Sequence, residues 1–216
     1  MPFRMKLYNY CRSSASYRVR IGLSLKGLTF EYVPVHLTKN GGEQHAEPHI
    51  RRNRMGQVPV LEWEEGGKTV ELTQSVAILE YLDDRQPEPP FFPRDPLARA
   101  AVRRSVEIVN SGIQPLQNLY LMAEIKRLGG DDRAFARAAN ERGLAALEHE
   151  AANGGGAFLV GDSLTLADVF LVPQMYSARR LGVDLSPYPK IVRIDATLTQ
   201  IPAVAAAHPD RQPDAQ

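Results

Sequence analysis

The amino-acid sequence is poor in several features, and each scarcity argues against a class of protein. One cysteine among 216 residues excludes disulfides within the chain and fits a reducing compartment. No apolar run approaches the ~18 residues of a membrane-spanning helix, and the first six residues lack the apolar core of a secretion signal. The formal net charge of +1 gives no electrostatic reason to expect nucleic acid or a membrane as partner. We therefore expect a cytoplasmic protein.

The composition that remains is ordinary for a globular protein. Hydrophobic residues make up 44% of the chain and charged residues 24%. A chain of this length can build one large domain or two small ones, each with a substantial core. No internal repeat or low-complexity segment is found.

The first part of the chain alternates short apolar runs with helical patterns. Residues 5–10 and 30–35 predict strands, and the helical pattern between them predicts a βαβ crossover. A polar loop with room for one helical turn follows at residues 38–54. Residues 60–72 then predict a β-hairpin around a glycine turn, and residues 74–82 predict a helix. The order βαβ, loop, ββ, α predicts a small mixed sheet with helices.

A proline-rich segment divides the chain. Five prolines fall between residues 84 and 96, and proline at this density prevents regular structure. Beyond it the patterns are helical: Asp95 with Pro96 predicts a helix start, whereas Gly112 and Pro115 predict a break. We therefore predict a first domain at residues 1–84, a linker at 85–96 and an all-helical domain at 97–216.

Two further helix signals lie in the second half of the chain. Residues 131–152 are rich in Ala, Glu and Arg, and the glycine run at 154–156 predicts the end of that helix. Thr165 followed by Asp168 predicts a capping box at the start of another helix. We therefore favour a structural role for Asp168 over a catalytic one. Residues 208–213 predict irregular structure.

Residues 9–20 are the strongest candidate for a site. A strand there passes through a turn rich in hydroxyls and arginines into a helix, whose first N–H groups are unpaired and carry a partial positive charge. Such a helix start suits an anion, which the pattern leaves open as phosphate, carboxylate or thiolate. Pro59, next to an apolar strand, indicates a sheet edge or a special turn. Together with the order of elements it resembles a thioredoxin-like domain, in which this proline is cis and the active group lies where the first helix begins.

Several motifs in one order are similar to those of zeta-class glutathione transferases. Residues 12–21 resemble the family signature Ser-Ser-Cys-x-Trp-Arg-Val-Arg, and further matches fall at residues 55–59, 73–78, 112–118, 160–162, 183–189 and 208–214. The resemblance covers residues 5–214. It implies the glutathione transferase fold, with an α/β thioredoxin-like domain (βαβ-ββα) followed by an all-α domain, and a homodimer.

The resemblance also implies an activity, the glutathione-dependent cis–trans isomerisation of a maleyl-keto acid. In this reaction glutathione thiolate adds to the cis double bond, the new single bond rotates, and the thiolate is expelled. The expected substrate is maleylacetoacetate, converted to fumarylacetoacetate in aromatic amino-acid breakdown, and maleylpyruvate is the alternative. Glutathione is regenerated and so acts as a cofactor. No metal site is predicted.

The implied glutathione site draws mainly on the first domain. The hydroxyl of Ser13 would donate to the glutathione sulfur, with Ser14 as the second candidate if the register differs by one residue. From the residues alone, helix capping is the first interpretation of both serines. Gln74 and Ser75, at a helix start, would hold the γ-glutamyl carboxylate. The other implied glutathione contacts are the backbone of Val58, the following Pro59, and the side chains of Gln44, Gln114 and Asn118.

The substrate carries two carboxylates and develops an enolate, so the reaction requires cations. Arg12 and Arg180 are the candidates, and one of Arg179 and Arg180 is expected to be solvated surface. Arg18 and Arg20 are expected in structural ion pairs along the first helix.

Gln114 and Asn118 are four residues apart, which would place them on one helical face. Such a pair often belongs to a solvated face. The neighbouring Ile113, Pro115 and Leu116 instead favour a kinked, partly buried face of a kind that suits a ligand pocket.

Three positions depart from the family pattern or add to it. Ala15 occupies the family's cysteine position, and Tyr17 the usual tryptophan or histidine. Cys11 stands where the family has an aromatic residue and gives residues 11–14 a C-x-x-S form, typical of monothiol redox proteins. We favour an inert, at least half-buried Cys11. A glutathione-binding protein without isomerase turnover is the alternative from a different functional class.

Overall fold

The computed structural model describes residues 4–154 and 156–215. Its contacts divide the chain into two compact units: one extends to Pro89 and includes the segment from Ile201 onward, and the other is Pro90–Gln200. The break therefore falls inside the proline-rich segment at residues 85–96. The predicted helix end at residues 154–156 includes Gly155, which lies outside the described residues.

A four-stranded mixed sheet is the centre of the first unit. Its strands are Met5–Asn9 (β1), Phe30–Pro34 (β2), Val60–Glu65 (β3) and Lys68–Thr73 (β4). Their spatial order is β2-β1-β3-β4, with β1 parallel to β2 and antiparallel to β3. The predicted hairpin is β3–β4, and Gly66 and Gly67 turn it with φ of 59° and 75°, which glycine adopts without steric cost. The predicted thioredoxin-like arrangement is confirmed.

The helices lie between the strands and after them along the chain. In chain order they are Ser14–Leu25 (α1), Glu47–Arg52 (α2), Ser75–Arg85 (α3), Pro96–Asn110 (α4), Leu119–Arg127 (α5), Asp132–Asn153 (α6), Leu166–Leu181 (α7), Pro189–Leu198 (α8) and Pro202–Ala206 (α9). Short 3₁₀ turns lie at Lys39–Gly41, Glu43–His45, Gln114–Gln117 and Pro209–Arg211. The loop at residues 38–54 thus holds more helix than the single turn expected. Among the described residues, no helix is long and apolar enough to cross a membrane.

The segments in which a site was predicted lie together along one edge of the sheet, the edge formed by the ends of the strands. Tyr8 of β1 is opposite Val60 of β3, and Val60 is opposite Thr73 of β4. Strand β3 is antiparallel to both of its neighbours, and β2 is parallel to β1. The start of β3 therefore lies beside the ends of the other three strands. The turn after β1, the loop after β2, the residues before β3 and the start of α3 therefore lie along this edge.

The segment at residues 201–215 packs within the first unit, whereas the sequence placed it in an all-helical domain at 97–216. It contains α9, which packs on α1, and a 3₁₀ turn where irregular structure was predicted. Its attachments are hydrogen bonds: Arg20 Nε donates to the carbonyl of Ala207 over 3.2 Å, and the N–H of Cys11 donates to Asp214 Oδ2 over 3.1 Å. Such long-range contacts leave no periodic trace in the sequence.

The second unit is helical, and the predicted capping box is present at the start of α7. The carboxylate of Asp168 accepts hydrogen bonds from the N–H groups of Leu159 and Thr165 over 2.9 and 2.8 Å, and from the Thr165 hydroxyl over 3.1 Å. Burial raises the pKa of Asp168 to about 6, against these hydrogen bonds. These hydrogen bonds to the backbone and to Thr165 give Asp168 a structural role.

The helix break predicted at Gly112 and Pro115 is confirmed, since α4 ends at Asn110 and a 3₁₀ turn begins at Gln114. Gly143 of α6 packs directly against the start of this turn. A Cβ atom at position 143 would lie 2.2 Å from Ile113 Cγ1, so the absence of a side chain permits the close approach. This packing fixes the position of the backbone at Gln114, the next residue.

Candidate active site

Ser13 caps helix α1 and still keeps a proton to donate. Its backbone is extended (φ −71°, ψ 119°), and its Oγ accepts a hydrogen bond from the N–H of Ser16 over 3.2 Å. That bond uses an acceptor site of the hydroxyl, and no acceptor for its O–H is found among the described residues. Ser14 is the first residue inside the helix. Capping and catalysis are therefore compatible functions of the Ser13 hydroxyl.

The partial positive charge at the start of α1 is not compensated from within its own first turn. The first turn of this 12-residue helix contains no acidic side chain. Arg12, immediately before Ser13, is exposed, and its guanidinium makes no hydrogen bond or ion pair with a described residue. Both features favour an anion next to the Ser13 hydroxyl.

The other arginines of this region, Arg18 and Arg20, make structural contacts. Arg18 and Arg20 are 2% and 1% exposed. Arg18 Nη1 donates to Ser75 Oγ over 3.0 Å. Arg20 donates to backbone carbonyls and to the amide oxygen of Asn9, so the ion-pair prediction is wrong for Arg20. Both side chains hold neighbouring backbone or hydroxyl groups in place.

The start of α3 offers a second anion site on the same sheet edge. No side chain caps this helix, and its first turn contains no acidic residue. Gln74 precedes it with φ of 69°, in the region that a non-glycine residue seldom adopts. Ser75 is buried, and its Oγ faces the guanidinium of Arg18. Unpaired N–H groups, a hydroxyl and a nearby buried cation fit a carboxylate ligand.

Between these two helix starts lies the bond Val58–Pro59, which is cis as predicted. Among the described residues, no partner is found for the backbone N–H and C=O of Val58. In the loop after β2, Gln44 donates from Nε2 to the carbonyl of Leu37 over 3.3 Å, while its buried Oε1 has no hydrogen-bond partner. A peptide-like ligand with its own backbone donors and acceptors would satisfy these groups.

In the second unit, Gln114 belongs to a buried chain of amides that the sequence did not reveal. Gln114 Nε2 donates to Gln174 Oε1 over 2.6 Å, Gln174 Nε2 donates to Asn140 Oδ1, and Asn140 Nδ2 donates to Gln117 Oε1 over 2.8 Å. Gln174 and Asn140 are both 0% exposed. The one available signal was a glutamine inside the buried apolar run of α7. Because the amides satisfy one another, the orientation of Gln114 is fixed.

The prediction that Gln114 and Asn118 share one helical face is wrong. Asn118 has extended backbone (φ −66°, ψ 142°) between the 3₁₀ turn Gln114–Gln117 and α5. It is exposed and precedes the first residue of α5, without capping it through its side chain. Pro115 shortens the helix to a single 3₁₀ turn, so the i, i+4 relation does not apply. The ligand contacts of both residues stay predictions.

The adjacent arginines at the end of α7 differ in their surroundings. Arg179 Nη2 lies 2.6 Å from Asp195 Oδ2 of α8, and Asp195 is 2% exposed. Arg180 is exposed and stacks over the ring of Tyr176, with 5.7 Å from the guanidinium carbon to the ring centroid. Among the described residues, no carboxylate pairs with Arg180. Arg180 is therefore the cation that remains available for a ligand.

Cys11 is buried, as expected for an inert thiol. Its Sγ–H donates to the carbonyl of Asp214 over 3.2 Å. Burial, and then the charge of Asp214, raise the pKa of the Cys11 thiol. Raising the pKa lowers the thiolate fraction, which is opposite to what a redox-active cysteine needs.

The residues described also contain no cluster of His, Cys, Asp or Glu suited to a metal ion.

Comparisons with known proteins agree with this geometry. The pattern of the glutathione S-transferase N-terminal domain matches residues 3–84, and that of the C-terminal domain matches residues 131–202. Maleylacetoacetate isomerase of Rattus norvegicus is 44% identical over 209 residues, which cover 96% of this chain and 94% of that protein.

Two solved structures are also similar over nearly the whole chain. Maleylacetoacetate isomerase from Anaeromyxobacter dehalogenans 2CP-1, with glutathione bound in its active site, is 51% identical and superposes with a TM-score of 0.90, covering 99% of both chains. A holo maleylpyruvate isomerase, a bacterial zeta-class protein, is 38% identical with a TM-score of 0.91 and covers 98% of this chain and 100% of its own. The chain belongs to the glutathione S-transferase family, in the zeta-class branch of the maleylacetoacetate isomerases.

Proposed function

We propose that the protein is a glutathione-dependent isomerase that converts maleylacetoacetate to fumarylacetoacetate. The observation that carries this proposal is the Ser13 hydroxyl, which has a proton to donate at the start of a helix whose first turn contains no acidic side chain. The relative of known structure at 51% identity binds glutathione in its active site. One sheet edge of this chain carries donors and acceptors of the kinds that glutathione needs.

Glutathione also supplies what the chain lacks. Position 15 is alanine, and the thiol of Cys11 is buried with a raised pKa. The chain itself therefore offers no activated thiol near Ser13. When bound, glutathione would provide a thiolate for reversible addition to the activated double bond, so that the resulting single bond could rotate before the thiolate leaves.

We assign the following roles to the residues of the first unit. The N–H groups at the start of α3, with Gln74 and Ser75, bind the γ-glutamyl carboxylate, and the free backbone groups of Val58 pair with the cysteinyl part. Gln44, in the loop after β2, contacts glutathione through its side-chain amide. Ser13 donates its hydroxyl proton as a hydrogen bond to the sulfur and so stabilises the thiolate. Ser14 is the alternative donor.

The cationic groups are assigned to the substrate. Arg12 and Arg180 lack carboxylate partners among the described residues, so their charge is available for the substrate carboxylates and for the negative charge that develops on the keto oxygen. Gln114, held by Gln174, and Asn118 are assigned ligand contacts. We further propose a cytoplasmic homodimer, on the basis of the family resemblance and the single buried cysteine.

Maleylpyruvate is the second candidate substrate, because a maleylpyruvate isomerase superposes on this chain with a TM-score of 0.91. Both compounds present a maleyl group conjugated to a ketone and differ in the chain beyond it. We expect kcat/KM to be higher for maleylacetoacetate when both are assayed side by side with glutathione. A higher value for maleylpyruvate would reassign the substrate, and no turnover of either would favour a glutathione-binding protein without isomerase activity.

A further inference from the structure

The turn that carries Ser13 is held by two residues from outside it. This turn, residues 10–13, begins where β1 ends, and the N–H of Ser13 donates to the carbonyl of Tyr10 over 3.0 Å. Arg20 donates to the carbonyls of Tyr10 and Cys11 over 3.3 and 2.8 Å. Asp214 accepts the N–H of Cys11 at Oδ2 over 3.1 Å. The carbonyls of the turn are thus bound from α1, and the Cys11 N–H from the segment at residues 201–215.

Asp214 is itself fixed by two further contacts. The hydroxyl of Tyr32, on β2, donates to Asp214 Oδ1 over 2.5 Å, and the thiol of Cys11 donates to the Asp214 carbonyl over 3.2 Å. Burial and the bond to Asp214 raise the pKa of the Tyr32 phenol far above its ordinary value, so the phenol stays a proton donor at neutral pH. The carboxylate of Asp214 is therefore oriented by β2 and binds the turn that follows the neighbouring strand β1.

Asp214 also contributes negative charge in the surroundings of Arg20. The Arg20 guanidinium is 1% exposed, and its hydrogen-bond acceptors are all neutral: the carbonyls of Tyr10, Cys11 and Ala207 and the amide oxygen of Asn9. Burial lowers the pKa of Arg20; Tyr32 and Tyr17 oppose this effect most, followed by Asp214, which is the carboxylate among these groups. A buried cation without a countercharge is destabilised. Loss of the Asp214 charge would therefore weaken the hold of Arg20 on the turn as well.

We propose that Asp214 is a positioning residue for the reaction, acting through the Cys11 N–H to hold the Ser13 hydroxyl where it meets the sulfur of glutathione. This inference rests on the proposed function for the task of Ser13. Cys11 is two residues before Ser13, so release of its N–H frees the middle of the turn. The start of α3 and the backbone of Val58 do not depend on this contact, so glutathione still binds.

The test compares Asp214→Ala with Asp210→Ala, a matched control in the same segment. Asp210 is exposed, and the polar contacts found for it among the described residues are with His208, at 3.8 Å between side chains and through the Asp210 N–H. For Asp214→Ala we expect kcat to fall by up to about 100-fold, with the KM for glutathione much less affected. The pH profile of kcat and the ultraviolet absorbance of the bound thiolate should both move to higher pH. Asp210→Ala should leave all of these at wild-type values.

Two more variants separate positioning from folding and from charge. Asp214→Asn keeps an oxygen for the Cys11 N–H, and Tyr32 can rotate its hydroxyl to accept from the new amide. Because it keeps this geometry but loses the negative charge near Arg20, it should retain more of the wild-type kcat than Asp214→Ala, and its bound thiol should titrate closer to wild type. Tyr32→Phe removes only the bond that orients Asp214, and it replaces Asp214→Ala as the test if that variant does not fold. It should show the same direction of change in kcat and thiolate titration.

Two results with folded Asp214→Ala, or with Tyr32→Phe in its place, would overturn the inference. One is a bound thiol that titrates like that of the wild type. The other is a loss of kcat with no change in the pH profile of kcat or of the thiolate absorbance. Failure of the proposed function gives a different result. In that case wild-type protein does not isomerise the substrate, while the ultraviolet titration of bound glutathione still reports whether Asp214 affects the thiol.

Discussion

Replacing Ser13 with alanine is expected to lower kcat/KM for isomerisation at neutral pH by about 10-fold to 100-fold. Lowering the thiol pKa of glutathione from about 8.5 to about 6.5 requires about 2.7 kcal/mol in favour of the thiolate. A hydrogen bond to a charged group contributes roughly 1.5–3 kcal/mol, and a helix start about 0.3–1 kcal/mol. The helix start alone is insufficient, so the Ser13 hydroxyl supplies most of the stabilisation.

The loss should depend on pH in a defined direction. Without the hydroxyl the bound thiol returns toward its ordinary pKa, so at neutral pH little thiolate forms. As the pH rises above about 8.5, the thiol ionises without help, and the activity of Ser13→Ala should recover toward wild type. The measurement is kcat/KM against pH for both proteins.

Ser13→Gly separates the chemical function of this residue from its structural one. Alanine removes the hydroxyl and the helix cap and should lower the free energy of unfolding by about 1 kcal/mol, whereas glycine in the cap position costs only a few tenths. We expect both variants to lose activity equally and Ser13→Ala to lose more stability than Ser13→Gly. If Ser14→Ala instead shows the large loss and the altered pH profile, Ser14 is the donor.

Replacing Arg180 with alanine is expected to raise KM for the dianionic substrate by about 10-fold to 100-fold, the effect of losing one charge-assisted hydrogen bond. Arg180 is exposed and lacks a carboxylate partner among the described residues, so thermal unfolding should be unchanged. Steady-state kinetics with the keto acid varied at fixed glutathione give the KM. The KM for glutathione should not change.

Arg179→Ala is the matched control, one residue earlier on the same helix. Its ion pair with the buried Asp195 would be lost, which leaves a buried acceptor without a partner at a cost of about 1–3 kcal/mol in the free energy of unfolding. Its KM should stay near the wild-type value. If Arg179→Ala raises KM and Arg180→Ala does not, the two assignments are exchanged.

The elements that the sequence predicted correctly are those with local causes. The βαβ crossover, the hairpin at Gly66–Gly67, the Thr165–Asp168 capping box and the break after Asn110 each depend on residues a few positions apart. The family motifs added Ser13, Val58 and Ser75 as site residues, and strand register brings their segments to one sheet edge.

The features that the sequence missed depend on contacts between distant residues. Arg20 meets Ala207 across 187 positions and Cys11 meets Asp214 across 203, so the packing of residues 201–215 had no local signal. Gln174 meets Gln114 across 60 positions. Asn118 was misplaced because helical spacing was applied from Gln114 to Asn118, whereas a 3₁₀ turn forms there and ends at Gln117.

The central claim is that this protein uses glutathione as a cofactor, which the reaction returns unchanged. The most direct measurement supplies purified protein with maleylacetoacetate and a small, known amount of glutathione, then quantifies fumarylacetoacetate and free glutathione together. We predict many product molecules for each glutathione molecule, with all glutathione recovered as the free thiol. Product that stops at one equivalent of glutathione, recovery of glutathione as a stable conjugate, or an equal rate without glutathione would contradict the account.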